Sequence, residues 1–138
     1  MGVINWFPLH CTSMNNSNQL ISGDHKGLAS QLLEKHVNSK SQLSGTVSKF
    51  ILEMKKKSLI LYIISLQGPF VAAFASSNSG DVSPNINGPK CKDTGMDCDF
   101  SNSTCGGSSQ NCLAFGPGTD MKDSTYIVGK RQFQEAKV

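Results

Sequence analysis

His10 closes an apolar run, Val3–Leu9, and Ser83 lies in a tight polar loop, Asn78-Ser-Gly-Asp-Val-Ser-Pro-Asn85, that follows a second apolar run, Phe70–Ala75. A serine becomes a nucleophile only where a base or a metal ion takes its proton. His10 and Ser83 are the candidate reactive groups on these grounds. The plainer reading keeps Ser83 as a turn former before Pro84 and His10 as a hydrogen-bonded histidine at a strand boundary. His25 and His36 read as surface residues of a helix.

The five cysteines divide into a ladder and an outlier. Cys91, Cys98, Cys105 and Cys112 follow an even C-x6-C-x6-C-x6-C spacing, whereas tetrahedral zinc sites usually draw their ligands from tighter pairs. Disulfides formed in an oxidising compartment are the favoured reading, with a zinc site and free thiols as the alternatives. Cys11 reads as a small half-buried thiol. The sequons Asn15-Asn16-Ser17 and Asn102-Ser103-Thr104 fit N-glycosylation acceptors of an exported protein, but such triplets are common by chance and add little alone.

A strand must precede each reactive group. Val3–Leu9, rich in β-branched and aromatic types, predicts a short buried strand that gives way to a polar loop, Thr12–Asn18. Ser22 as a cap, Asp24 in the first turn, and Leu28, Leu32, Leu33 and His36 at helical spacing predict an amphipathic helix over 24–37, with Lys35 near its end. The unbroken apolar run Phe70–Ala75 predicts a strand covered on both faces. Between Ser76 and Asp120 just over half of the residues are Gly, Ser, Asn or Pro. That stretch cannot bury much apolar area, so 76–119 is expected to be a long loop stapled by the ladder. Thr119, Asp120 and Asp123 at one end and Lys130, Arg131 and Lys137 at the other predict a final helix over 120–136. The order strand, helix, strand, stapled loop, helix places the chain in the α/β or α+β class.

With 138 residues, 38% hydrophobic and 17% charged, the chain holds one modest domain and excludes a large multidomain enzyme. A net charge of only +3 gives no nucleic-acid signature. Met1-Gly-Val-Ile-Asn-Trp-Phe7 lacks the basic start and small-residue cleavage site of a signal peptide. The stretch Val47–Gln67 is atypical. It sets Lys55, Lys56 and Lys57 before the apolar run Ser58–Leu66, which is shorter than the roughly 20 residues a bilayer requires, so no transmembrane helix is expected. Val47-Ser48 is encodable as GTAAGT and Gln67 as CAG, a splice donor and an acceptor end, so the stretch reads as translated intron. A membrane-docking insert is the competing idea.

The segments Val3-Ile-Asn-Trp-Phe-Pro-Leu-His-Cys-Thr-Ser-Met-Asn-Asn-Ser-Asn18 and Gly68-Pro-Phe-Val-Ala-Ala-Phe-Ala-Ser-Ser-Asn-Ser-Gly-Asp-Val-Ser-Pro-Asn-Ile86 closely resemble the catalytic domain of neutral ceramidase. The cysteine ladder and Gly116-Pro-Gly-Thr-Asp-Met121 continue the resemblance in the same order, which leaves only Val47–Gln67 outside it. The resemblance implies that residues 1–138 are a fragment of that α/β catalytic domain. It also implies a zinc-dependent amidase that hydrolyses the N-acyl bond of ceramide to sphingosine and a fatty acid, working on its lipid substrate at the membrane surface or outside the cell.

Carried over by position, His10 matches a zinc-binding histidine, Ser83 matches the catalytic serine, and the cysteines match pairs Cys91 with Cys105 and Cys98 with Cys112. The resemblance places further zinc ligands, a second histidine, a glutamate and a tyrosine, outside these residues, so the isolated chain is expected to be inactive. Cys11, Ser79 and Asn87 depart from the family pattern and are expected to weaken loop packing. The alternative is a non-catalytic interaction module from a truncated paralogue or splice product.

Overall fold

Strands β1 (Gly2–Phe7) and β2 (Val71–Ser76) pair in parallel, from Gly2 opposite Val71 to Phe7 opposite Ser76. The computed structural model describes residues 1–54 and 69–137. A parallel pair requires a crossover connection, and helix α1 (Asp24–Met54) lies on it. Because the strands run the same way, the segments carrying His10 and Ser83 leave the sheet at the same end. That end is where open α/β sheets place their ligands.

Helix α1 starts as its sequence dictates. The Ser22 hydroxyl accepts the Asp24 N–H at 3.0 Å, and the Asp24 carboxylate accepts the N–H groups of His25 at 2.6 Å and Met14 at 2.9 Å. These bonds hold Asp24 at a φ of 51°, a left-handed conformation that Asp tolerates better than most residues. The helix does not stop near Val37 as the apolar spacing suggested but continues to Met54. Nothing in residues 38–44 breaks a helix, and Asn38 has a tertiary role, its side chain donating to Phe70 O at 3.1 Å and accepting the Phe70 N–H at 2.8 Å.

Asn38 completes a series. Ser30 Oγ accepts the Phe74 N–H at 3.1 Å and Glu34 Oε1 accepts the Ala72 N–H at 3.0 Å. Four residues along a helix advance about 6.0 Å, and two residues along a strand about 6.6 Å. The two repeats stay in step, so Ser30, Glu34 and Asn38 meet alternate amides of β2 and of Phe70 just before it, on the side away from β1.

The core lies between the sheet and its helices: Ala29 and Leu33 of α1 pack on Ala72 and Phe74, joined by Phe70, Phe133 and Ala136. Both strands were expected to be buried, and β2 is covered on one face only. Val71 and Ala73 point to the open side, while Ile4 (63% exposed) and Trp6 (66%) of β1 are exposed with them. The apolar run is correct for a two-sided strand, but α1 and helix α2 (Met121–Ala136) lie against one side.

Helix α2 begins where the acidic residues predict, with Asp120 Oδ1 accepting the Asp123 N–H at 2.7 Å. It crosses α1 at Gly129, where a Cβ would come within 2.8 Å of His25 O and 2.9 Å of a Leu28 methyl. Gly129→Leu is therefore expected to force the helices apart and lower the unfolding free energy by about 2 kcal/mol, the usual penalty of overpacking. A urea midpoint equal to the parent's would show that the crossing is not this close.

The stretch 76–119 is more ordered than its composition suggested. Strands β3 (Pro89–Cys91) and β4 (Cys112–Ala114) pair antiparallel, with Cys91 opposite Cys112, and a 3-10 turn covers Ser109–Asn111. Of the atypical stretch Val47–Gln67, residues 47–54 continue the backbone of α1, and the rest, with the intron and insert readings that depend on it, lies outside the described residues. Among the described residues no helix is long and apolar enough to cross a membrane.

Candidate active site

His10 and Ser83 are brought into neighbouring loops. The His10 backbone N–H donates to Val82 O at 3.1 Å, the Ser76 hydroxyl donates to Leu9 O at 3.1 Å, and His10 Nε2 meets Gly80 O at 2.8 Å. A carbonyl only accepts, so Nε2 carries the proton in this bond. Gly80 offers that carbonyl from a left-handed φ of 51°, which glycine adopts without strain. Ser83 is exposed, and its Oγ accepts the Asn85 N–H at 3.1 Å. An apolar cavity of about 340 Å³ opens beside it, lined by Phe7, Leu9, Phe74, Ile86 and Val128 together with Ser83.

A buried polar chain supports the end of β1. Lys26 Nζ donates to Phe7 O at 2.8 Å and approaches Gln132 Oε1 at 3.4 Å; Gln132 Nε2 donates to His25 Nδ1 at 2.7 Å; His25 Nε2 donates to His10 O at 2.8 Å. Every donor in this sequence finds an acceptor only if His25 is neutral and protonated at Nε2. Burial works the same way, pushing the His25 imidazole below its ordinary value, against the opposing pull of the His10 carbonyl and the Asp24 charge. Burial also pushes the Lys26 ammonium down.

The expectation that His25 is a surface residue is thus overturned: it is 0% exposed. His36 is half-buried as well, its ring edge-on to Phe133 at 5.7 Å and its Nε2 enclosed without a partner among the described residues. His25 shares a helical face with Ala29 and Leu33, and that period was the signal that marks it as internal. Lys26 and Gln132 carried no such signal, since long polar side chains are rarely this buried.

Cys91 is bonded to Cys105 and Cys98 to Cys112. The sulfurs of Cys91, Cys98 and Cys105 lie within 4.8 Å of one another, the one grouping of three or more potential metal-ligand side chains among the described residues. Sulfurs engaged in disulfides are not thiolates and do not serve as zinc ligands. The stapled segment joins the Ser83 loop through Asn87, whose N–H donates to Phe115 O at 3.0 Å and whose side chain donates to Gly116 O at 2.7 Å.

Asn87 therefore ties the loops together, and the Ser79 hydroxyl likewise bonds the Ser76 hydroxyl at 2.8 Å, so both departures carry hydrogen bonds of their own. Cys11 is free and exposed rather than half-buried, with its thiol pushed up first by desolvation and then by the Asp24 charge. In each sequon the asparagine Oδ1 accepts from the residue two positions on: Ser17 at Asn15, which is half-buried, and Thr104 at Asn102, which is exposed.

The family model for neutral/alkaline non-lysosomal ceramidase, N-terminal, matches residues 1–138. The chain belongs to this ceramidase family. Neutral ceramidase A of Dictyostelium discoideum is 50% identical over 135 residues, covering 96% of this chain and 16% of that protein. Neutral ceramidase of Drosophila melanogaster is 43% identical over 131 residues, covering 95% of this chain and 16% of that protein. The crystal structure of neutral ceramidase from Pseudomonas aeruginosa aligns at 31% identity and a TM-score of 0.48, over 98% of this chain and 14% of that one. This ceramidase segment thus spans about a sixth of the length of the curated relatives it matches.

His10 fits a place in a metal site. Histidines that bind metals usually donate their other ring N–H to a carbonyl or carboxylate, and Gly80 O receives it here. Catalytic zinc takes three protein ligands, and among the described residues His10 belongs to no cluster of three or more potential metal-ligand side chains.

Proposed function

We propose that this ceramidase segment supplies one metal ligand, His10, and the reacting serine, Ser83, to a zinc-dependent amidohydrolase that cleaves the N-acyl bond of ceramide to sphingosine and a fatty acid. The observation that carries the reading is the pairing of the His10 and Ser83 loops at one end of a parallel sheet, within a ceramidase family match over the whole chain. Zinc bound through His10 and through ligands elsewhere in the enzyme would polarise the amide carbonyl as a Lewis acid. Ser83 stands in the open loop beside it, and the Asn85 N–H donated to its Oγ stabilises negative charge on that oxygen. The adjoining apolar cavity suits the hydrocarbon part of a lipid.

Export to the cell surface or beyond is part of the same proposal, supported by the disulfides and by the exposed Asn102 sequon as a glycan acceptor, with Asn15 as a second. The 138-residue chain alone is proposed to be inactive, because one histidine cannot hold a catalytic zinc.

A full-length ceramidase carrying this segment is expected to hydrolyse a short-chain ceramide, to lose activity on chelation, to regain it with zinc, and to lose stoichiometric zinc in His10→Ala. Chelator-resistant turnover, or full zinc content in His10→Ala, would refute the metal role. Stoichiometric zinc and turnover by the 138-residue chain would refute its dependence on other segments.

A further inference from the structure

Downstream of Ser83, one side chain reaches the His10 loop. Asn85 donates its backbone N–H to Ser83 Oγ at 3.1 Å and its side-chain Nδ2 to Thr12 O at 3.1 Å, with the Thr12 hydroxyl at 3.5 Å. Thr12 lies two residues beyond His10. Asn85 Oδ1 is buried and has no partner among the described residues. Turning the amide over would set that oxygen against the Thr12 carbonyl, acceptor against acceptor, so the side chain is held by what it donates. The other bonds between the two segments, from His10 to Gly80 O and Val82 O and from the Ser76 hydroxyl to Leu9 O, lie upstream of Ser83. Without Asn85 Nδ2, nothing described ties the downstream side of Ser83 to the His10 loop.

Given the roles of His10 and Ser83 above, we propose that Asn85 is a positioning residue: its amide fixes where Ser83 Oγ stands relative to His10, while its N–H orients the Ser83 lone pairs. Pro84 between them has a fixed φ, so a displacement of Asn85 passes to Ser83 rather than being absorbed in the turn.

The test uses full-length ceramidase carrying this segment, with Asn85→Ala and Asn85→Asp. Alanine removes the clamp and leaves the backbone N–H; aspartate keeps the shape, but its carboxylate has no proton to donate to Thr12 O. Both are expected to lose about 10²-fold in kcat, the effect of misplacing a reacting group by about 1 Å, with KM and zinc content unchanged. If Asn85→Asp does not fold, Asn85→Ala decides. A folded variant with parental kcat, beside an inactive Ser83→Ala, overturns the positioning role of Asn85 and leaves the reading of Ser83 standing. An active Ser83→Ala overturns both. A rise in KM or a loss of zinc with kcat unchanged also overturns the positioning role.

Discussion

Ser83→Ala in a full-length ceramidase carrying this segment is expected to lower kcat by roughly 10³-fold or more, as removal of a nucleophile does in other hydrolases. Zinc content should stay at the parental level, because no metal role falls on Ser83. The structural cost is small: Ser83 is exposed, and among the described residues its side chain accepts only the Asn85 N–H, which water reaches once the hydroxyl is gone. Rate and stability are therefore expected to separate, with turnover collapsing and the unfolding midpoint barely moving. Activity within about tenfold of the parent would remove Ser83 from the chemistry.

Reduction of the ladder should have the largest effect on the fold. Each bridge closes a loop with a sequence separation of 14, and the chain-entropy model gives about 3 kcal/mol for a loop of that size. The loops overlap between Cys98 and Cys105, so the combined effect is less than the sum. The segment has little else to hold it, since its cluster of buried residues consists of the cysteines themselves. Reduced protein should exchange amide hydrogens rapidly from Asn87 to Phe115 and lose the contact through which the ladder steadies the Ser83 loop. Non-reducing peptide mapping is expected to find Cys91 with Cys105 and Cys98 with Cys112, with alkylation at Cys11 alone. Labelling of the ladder in native exported material would contradict the assignment.

The parts legible in the sequence are those with strong local signals. Asp120 and Asp123 announce the start of α2, and the structure places it there. The apolar runs mark β1 and β2, although not which of their faces is covered, because that depends on elements the runs do not contain. The end of α1 was misplaced because the apolar period stops near Val37, whereas Asn38 remains in the helix through hydrogen bonds to Phe70, a residue distant in sequence. For the candidate site, residue type and position beyond a strand singled out His10 and Ser83. The groups beneath them, His25, Lys26 and Gln132, are polar residues internalised as a complementary set. No one of them signals burial without the others, and Gln132 is over a hundred positions from His25.

The helix side chains Ser30, Glu34 and Asn38 occupy the amides through which β2 would otherwise receive a neighbour. A strand whose outward donors are already used is a poor template for pairing, so among the described residues the sheet has a closed flank at β2 and an open one at β1. Among the described residues no strand pairs with the outer edge of β1, so further strands of the sheet are expected to add there, while Ile4 and Trp6 face solvent on the open face of the same sheet. His10, just beyond the end of β1, then stands next to the edge at which the sheet is expected to grow.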